Sequence, residues 1–404
     1  MLISKRSVLG LVAITSILAG CGTTTVVQSG SSSDPARPAR TLSFAQPEPY
    51  DASHRRVSVM HTLDFDGDGH LDIGVTSGGG SVGVMRNAGD GTFEEIVWQI
   101  DPTLASGNTV LAVGDLNGDG LGDLVFTTPA RGASESGMYF IPGSADAKLA
   151  PPRRLWREYT SYPAGALHIA DMDADGIADV VYCGGQSVVV TPLTSAMTAG
   201  HSTATTPDAQ RQCAVGDFNG DGTMDLVTVE SGLTIGVSLT NASGTRPKLS
   251  TLYPSKKDSL SQTGLFTADV NGDGRADVIA VFSGIMLVYV ANADGSLATP
   301  ILSEGKLDTG GYRDEGTYAK FADLNADGKL DAVMVHGGGD ARDVIVEIML
   351  GDGVGKFTQA SVDLGLLGGG PASDIAVGDF DGDGLPDIAV AYGERTYVVR
   401  NTSR

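Results

Sequence analysis

Four aspartates fall within the nine residues DFDGDGHLD, Asp64 to Asp72, around two glycines. Carboxylates packed this closely repel one another unless a cation joins them. The arrangement recurs as DLNGDGLGD from Asp115, DMDADGIAD from Asp171, DFNGDGTMD from Asp217, DVNGDGRAD from Asp269, DLNADGKLD from Asp323 and DFDGDGLPD from Asp379. Position one is therefore Asp64, Asp115, Asp171, Asp217, Asp269, Asp323 and Asp379. Position three is Asp66, Asn117, Asp173, Asn219, Asn271, Asn325 and Asp381. Position five is Asp68, Asp119, Asp175, Asp221, Asp273, Asp327 and Asp383, and position nine is Asp72, Asp123, Asp179, Asp225, Asp277, Asp331 and Asp387. Position seven, occupied by His70, Leu121, Ile177, Thr223, Arg275, Lys329 and Leu385, adds a backbone carbonyl, and Gly at position six permits the bend.

Hard oxygen ligands in a flexible loop suit Ca²⁺, which takes six to eight oxygens, better than Mg²⁺ with its strict octahedron. No His or Cys shares the spacing, which argues against zinc. An EF-hand begins similarly but needs a Glu at position twelve and flanking helices. Here position twelve of the first loop is Val75, in a strand-like run. Charge counting agrees with a bound cation. The loops hold 24 of the 49 acidic residues, and the other 25 nearly balance 27 Lys and Arg. Seven divalent cations would move the net charge from −22 to −8. Such loops leave few open coordination positions, and all seven are alike, so the expected role is structural and not catalytic.

The elements that must carry these loops follow from their spacing. Successive loops start 51, 56, 46, 52, 54 and 56 residues apart. Before each lies a short apolar run such as Val110–Val113 or Ile375–Val377; after each lies another, such as Leu124–Phe126 or Ile388–Val390. Two more strand-like runs follow, bounded by Gly-rich turns. Repeats of this length with four short strands each predict one propeller blade per unit, hence seven blades. The pattern resembles FG-GAP (VCBS-type) repeats, the units of integrin α-chain propellers, over residues 41–404. That resemblance implies an all-β, seven-bladed propeller with its metal loops on one face and partners on the other. After the seventh loop only two strands remain, so the N-terminal segment, with Thr41–Phe44 as the strand, is expected to complete the last blade.

Residues 1–20 read as a leader: Lys5 and Arg6, then an apolar run Val8–Leu18 too short to span a bilayer. Leu18-Ala19-Gly20-Cys21 resembles the bacterial lipobox, which implies a lipid on Cys21 and, with Gly22 following, an outer-membrane destination. Residues 21–40 are the lipidated cysteine and a tether rich in Ser, Thr, Gly and Pro. In such an oxidising envelope, Cys183 and Cys213 are a candidate disulfide.

The charge argues against nucleic acid, whose phosphates need clustered Lys and Arg. Partner-face candidates are Arg157, Tyr159, Tyr162, Tyr312 and Arg313 before first strands, with Arg131, Arg342, Tyr392 and Arg395 between second and third strands. Trp156 would anchor an outer strand or meet a ligand. His61 and His168 share one register three residues before their loops, but they fall in inner strands of separate blades, which argues against a two-histidine metal site. No nucleophile elbow or phosphate loop is present. The leading expectation is a monomeric, calcium-stabilised, lipid-anchored module that binds an envelope protein or glycan and is not an enzyme. Two alternatives stay open. A polysaccharide lyase would need a long basic groove, and a lectin propeller would need a per-blade aromatic repeat, against only two tryptophans here.

Overall fold

The computed structural model describes Ser16–Ile17 and residues 38–404 outside 53–54, 78–79, 95, 100–108, 129–136, 157–163, 185–186, 195–196, 198–202, 205–208, 231–233, 241–247, 252–263, 283–284, 305–316, 337–344, 363 and 365–371. Among these residues every regular element is a strand, and the strands form seven antiparallel sheets. The protein is a seven-bladed β-propeller.

Blade one shows the plan. Val57–Leu63, Asp72–Ser77, Val82–Met85 and Val97–Gln99 pair in that order, each strand beside the next in sequence. Blades two to six repeat it, with first strands Leu111–Gly114, Ala164–Ala170, Ala209–Gly216, Gly264–Ala268 and Thr317–Ala322. The apolar run read as Val110–Val113 is thus displaced by one residue, an ordinary margin at strand ends. First strands of neighbouring blades pack side by side and ring the axis. Second strands such as Asp72–Ser77 and Asp179–Gly184 are buried along their whole length, which explains their unbroken apolar character.

Blade seven takes its strands from both ends of the chain. Ala372–Gly378, Asp387–Tyr392 and Arg395–Val399 come from the C-terminal end, and Glu48–Asp51 pairs with the last of them as the outer strand. The register runs from Glu48 opposite Val398 to Asp51 opposite Arg395. Closure by the N-terminal segment is therefore as expected, but the ladder forms at residues 48–51 and not at Thr41–Phe44. Phe44 contributes a single bridge to Asn401, and Thr41 N donates to the Arg404 carbonyl at 2.9 Å. The reason is reach. Residues 41–45 run beyond the end of the third strand, Arg395–Val399, and can only follow the C-terminal tail Arg400–Arg404.

Apolar clusters overlap around the ring. One joins blades one to three, others join three with four, four with five, five with six and six with seven, and the last joins seven with one. Ser16–Ile17 lies antiparallel to Leu167–His168, on the axial edge of blade three. A cleaved leader would leave that edge open.

Candidate metal centres

Each aspartate loop joins the first strand of its blade to the second, so all seven emerge at one end of the propeller. Turns between second and third strands lie at the other end. Within each loop two turns of chemistry are stacked on one another.

The lower one is a latch. Position nine is the first residue of the second strand and is fully or almost fully buried in every blade. Its Oδ2 accepts the backbone N–H of position two, from Phe65 to Asp72 at 3.0 Å in blade one and from Phe380 to Asp387 at 3.0 Å in blade seven. The same bond forms from Leu116, Met172, Phe218, Val270 and Leu324. Its Oδ1 accepts a second N–H from the end of the third strand or just beyond it, from Asn87, Gly143, Leu193, Thr240, Ala291, Gly351 or Asn401 according to the blade. Position two is apolar and buried in all seven, from Phe65 to Phe380, and this signal is present in the sequence but was not singled out there. Position nine is thus a structural acceptor as well as a candidate metal ligand. Each of its oxygens keeps one lone pair for a cation.

The upper one is the ligand cradle. Position one accepts N–H groups from its own loop: Gly118 and Asp119 donate to Asp115 Oδ1, and Gly120 donates to Oδ2 at 2.9 Å. Position three accepts from the N–H of position five, and position five from that of position seven, as Leu121 does to Asp119 at 2.9 Å. These bonds need left-handed backbone at positions four and six. Where position four is not glycine, Ala174 and Ala326 take φ of 61° and 57°. An alanine held there costs about 1 kcal/mol or more, so the geometry is imposed by the loop and not chosen by the residue.

Ligand oxygens converge as the spacing requires. One oxygen each of Asp64, Asp66 and Asp72 lies within 4.8 Å of the others, and so do those of Asp171, Asp173, Asp179 and of Asp379, Asp381, Asp387. In the loops with Asn at position three, its amide reaches position five, as in Asn117 Nδ2 donating to Asp119 Oδ2 at 2.9 Å. In these three loops positions one, three and nine therefore share one small volume lined by carboxylate oxygens, a donor set that fits a Ca²⁺-sized cation. Burial pushes the position-nine carboxyls up, to about 7 in Asp72, Asp277, Asp331 and Asp387 and about 6 in Asp123, Asp179 and Asp225. Their backbone donors oppose that rise, and the neighbouring loop aspartates add to it.

Two loops also recruit an internal cation. Arg86 Nε sits 2.5 Å from Asp66 Oδ2, and the guanidinium also reaches Asp68 and Glu94. Arg275 pairs with Asp273. Adjacent loops are stitched together by backbone and amide bonds: Gly122 N donates to the Asp64 carbonyl at 2.6 Å, and Ala276 N to that of Asp217 at 2.8 Å. Asn87 Nδ2 donates to the Phe380 carbonyl at 2.8 Å, spanning the junction of blades one and seven.

The FG-GAP-like repeat model matches residues 64–126, 171–228, 269–334 and 323–390, together more than half of the chain. The chain belongs to the FG-GAP-like repeat family. Four matched segments spread over seven blades agree with the loop count, because each segment holds parts of two blades. Among solved structures, this FG-GAP-like propeller is similar to a lectin of Agrocybe aegerita described as recognising non-reducing terminal N-acetylglucosamine, at 18% identity and TM-score 0.57, covering 96% of this chain and 95% of that one. It is also similar to BBS1N in complex with ARL6DN, at 9% identity and TM-score 0.55, covering 90% and 97%. At these identities the likeness shows the fold. No curated protein matches the chain.

The other sites expected from sequence divide. Cys183 and Cys213 are bonded, with Cα atoms 6.1 Å apart, and tie the second strand of blade three to the first strand of blade four. Trp156 ends the outer strand of blade two, half-buried opposite Met138, which is the anchoring role. His168 is buried in blade three with Nε2 2.9 Å from the Cys213 carbonyl oxygen, whereas His61 lies in blade one, so no site joins them. Tyr392 and Arg395 flank the turn between second and third strands of blade seven, with Tyr392 packed on Tyr397. Arg157, Tyr159, Tyr162, Tyr312, Arg313, Arg131, Arg342 and Cys21 lie outside the described residues.

Proposed function

We propose that this FG-GAP-like propeller is a calcium-stabilised binding module for a glycan or protein in the bacterial cell envelope, tethered through a lipid on Cys21. The equivalence of the seven loops carries the reading. Every position-nine carboxylate makes the same two backbone bonds, so metal in these loops would hold strand to strand and leave no single loop singled out for a reaction. The donor set supports calcium: the cradle offers only oxygens, and the buried carboxyls carry repulsion that a divalent cation relieves. Propellers of similar fold include one described with a terminal sugar and one described in complex with a protein, which supports a binding role. The face opposite the loops, where Tyr392 and Arg395 lie, is the expected contact surface.

The test passes native envelope extract, and separately a glycan array with N-acetylglucosamine-terminated probes, over the immobilised protein with calcium or chelator. Retention in calcium that weakens in Arg395→Ala supports the reading. New reducing or unsaturated sugar ends generated from envelope polysaccharide would overturn it in favour of an enzyme. Incorporation of labelled palmitate that disappears in Cys21→Ser tests the anchor.

A further inference from the structure

At the loop end of the central channel, blades six, seven and one enclose a cavity of about 290 Å³. Its walls include His61, Leu71, Lys320, Phe321, Ala376 and Val377. The register explains why it exists. His61, Lys320 and Ala376 each stand three residues before their loop, on first strands of three consecutive blades. Blade seven, in the middle, puts a methyl group where its neighbours put an imidazole and an amine. Two donors therefore face a gap opened by alanine.

Both residues are largely buried. His61 is 3% exposed and Lys320 9%. His61 Nε2 has no hydrogen-bond partner among the described residues. A buried polar atom without a partner costs about 1 to 3 kcal/mol, and a buried ammonium without a close counter-ion costs more. Burial pushes Lys320 below its ordinary value, and Asp374 draws it back up; His61 is lowered by burial and then by the Lys320 charge. Asp374 does not close the gap itself. Its carboxylate accepts N–H groups from Met60 and Ile375, each at 2.8 Å. Asp323 and Asp379, which also border the cavity, are turned into their loops by N–H donors from Gly328 and Gly384.

We propose that this cavity is a binding site for a small organic carboxylate, held by the Lys320 ammonium and the His61 Nε2–H with its hydrocarbon part against Leu71 and Val377. One positive charge and one neutral donor match the single charge and two oxygens of a carboxylate. A phosphate dianion would bring a second negative charge beside Asp374, Asp323 and Asp379 with no second cation to meet it. Apolar side chains make up much of the lining. Of its polar members, His61, Thr62, Lys320, Asp323 and Asp379, the two loop carboxylates are already held by backbone donors, which leaves His61 and Lys320 to meet an anion.

The test is calorimetry on the full chain in calcium and a carboxylate-free buffer, with propionate and glucuronate as probes and inorganic phosphate and glucose as controls. One carboxylate binding at one site per chain, weakened about tenfold or more in Lys320→Met and measurably in His61→Gln, is the expected result. Thermal melts of each variant establish that it is folded. If Lys320→Met does not fold, the weakening in His61→Gln and a saturable shift of the His61 imidazole resonances on carboxylate titration of the unsubstituted chain decide instead. No saturable binding of either carboxylate, binding unchanged in His61→Gln, or phosphate binding as tightly as carboxylate would overturn the proposal.

Discussion

The ninth aspartate of each loop shows how one residue can serve two demands. Its oxygens satisfy two buried backbone donors, and its remaining lone pairs face the cradle. Replacing it therefore removes more than a ligand. In Asp277→Ala the N–H groups of Val270 and Ala291 lose their acceptors, at a cost of about 2 to 6 kcal/mol, partly offset by removal of a buried charge. Asn271→Ala, which removes an exposed position-three amide that accepts from Asp273 N and donates to Asp273 Oδ2, should cost only about 1 kcal/mol. Urea denaturation in saturating calcium compares them, and equal losses would mean that the latch contributes nothing beyond ligation. His168 gives a residue-level pH effect. Burial lowers it from 6.5 to about 4, with the Cys213 carbonyl opposing the shift. The unfolded chain then binds a proton that the folded chain refuses, so stability is complete above pH 6.5 and is lost as pH falls towards 4. The loss is up to roughly 3 kcal/mol. His168→Gln keeps a donor for the Cys213 carbonyl but not the titration, so denaturation at the two ends of that window should differ less for the variant than for the parent chain.

At the scale of elements, the seventh blade is the informative one. Its outer strand belongs to the other end of the chain, and the closure is reinforced on both sides. Tyr50 packs edge-on against Phe93 at 5.7 Å, and Phe93 against Phe380 at 5.3 Å, linking the N-terminal segment to blades one and seven. Leu42 and Phe44 add half-buried contacts to the cluster of blades six and seven. Each such side chain contributes about 1 kcal/mol, and the paired edge is lost with them. Deleting residues 38–51 should therefore lower the melting temperature by many degrees and promote self-association through the freed edge. Deleting residues 22–37 should leave the melt unchanged. Scanning calorimetry with light scattering distinguishes these outcomes, and equal melts for the two deletions would show that the ring does not depend on this strand.

For the molecule as a whole, the overlapping clusters make a closed ring in which no blade has a free flank. Calcium held as proposed would add to that closure from one face. At about 1 mM Ca²⁺ and dissociation constants of roughly 10⁻⁴ to 10⁻³ M, each occupied loop would contribute on the order of 0.4 to 1.4 kcal/mol. Seven would give roughly 3 to 10 kcal/mol, comparable with the net stability of a domain. Chelation should then lower the melting temperature strongly, and added Ca²⁺ should restore it where equal Mg²⁺ does not. An unchanged melt after metal analysis has verified removal would refute the structural role of calcium.

What the sequence determined by itself was everything that repeats. The carboxylate spacing, the strand runs around it and the shortage of strands at the C-terminus are local patterns, so seven blades, their order and the borrowed last strand could be read from DFDGDGHLD and its copies. Even the buried second position was there to be seen in Phe65 and Phe380. Tertiary structure alone decided what depends on register between blades. It moved the closing ladder to Glu48–Asp51, because only those residues reach the flank of Arg395–Val399. It also gathered His61, Lys320 and Ala376 around one cavity although they lie far apart in the chain, since three successive first strands present the same register to the axis. A repeat specifies its own blade through nearby residues, whereas a channel is made of single residues from many blades, and their meeting is fixed only when the ring closes.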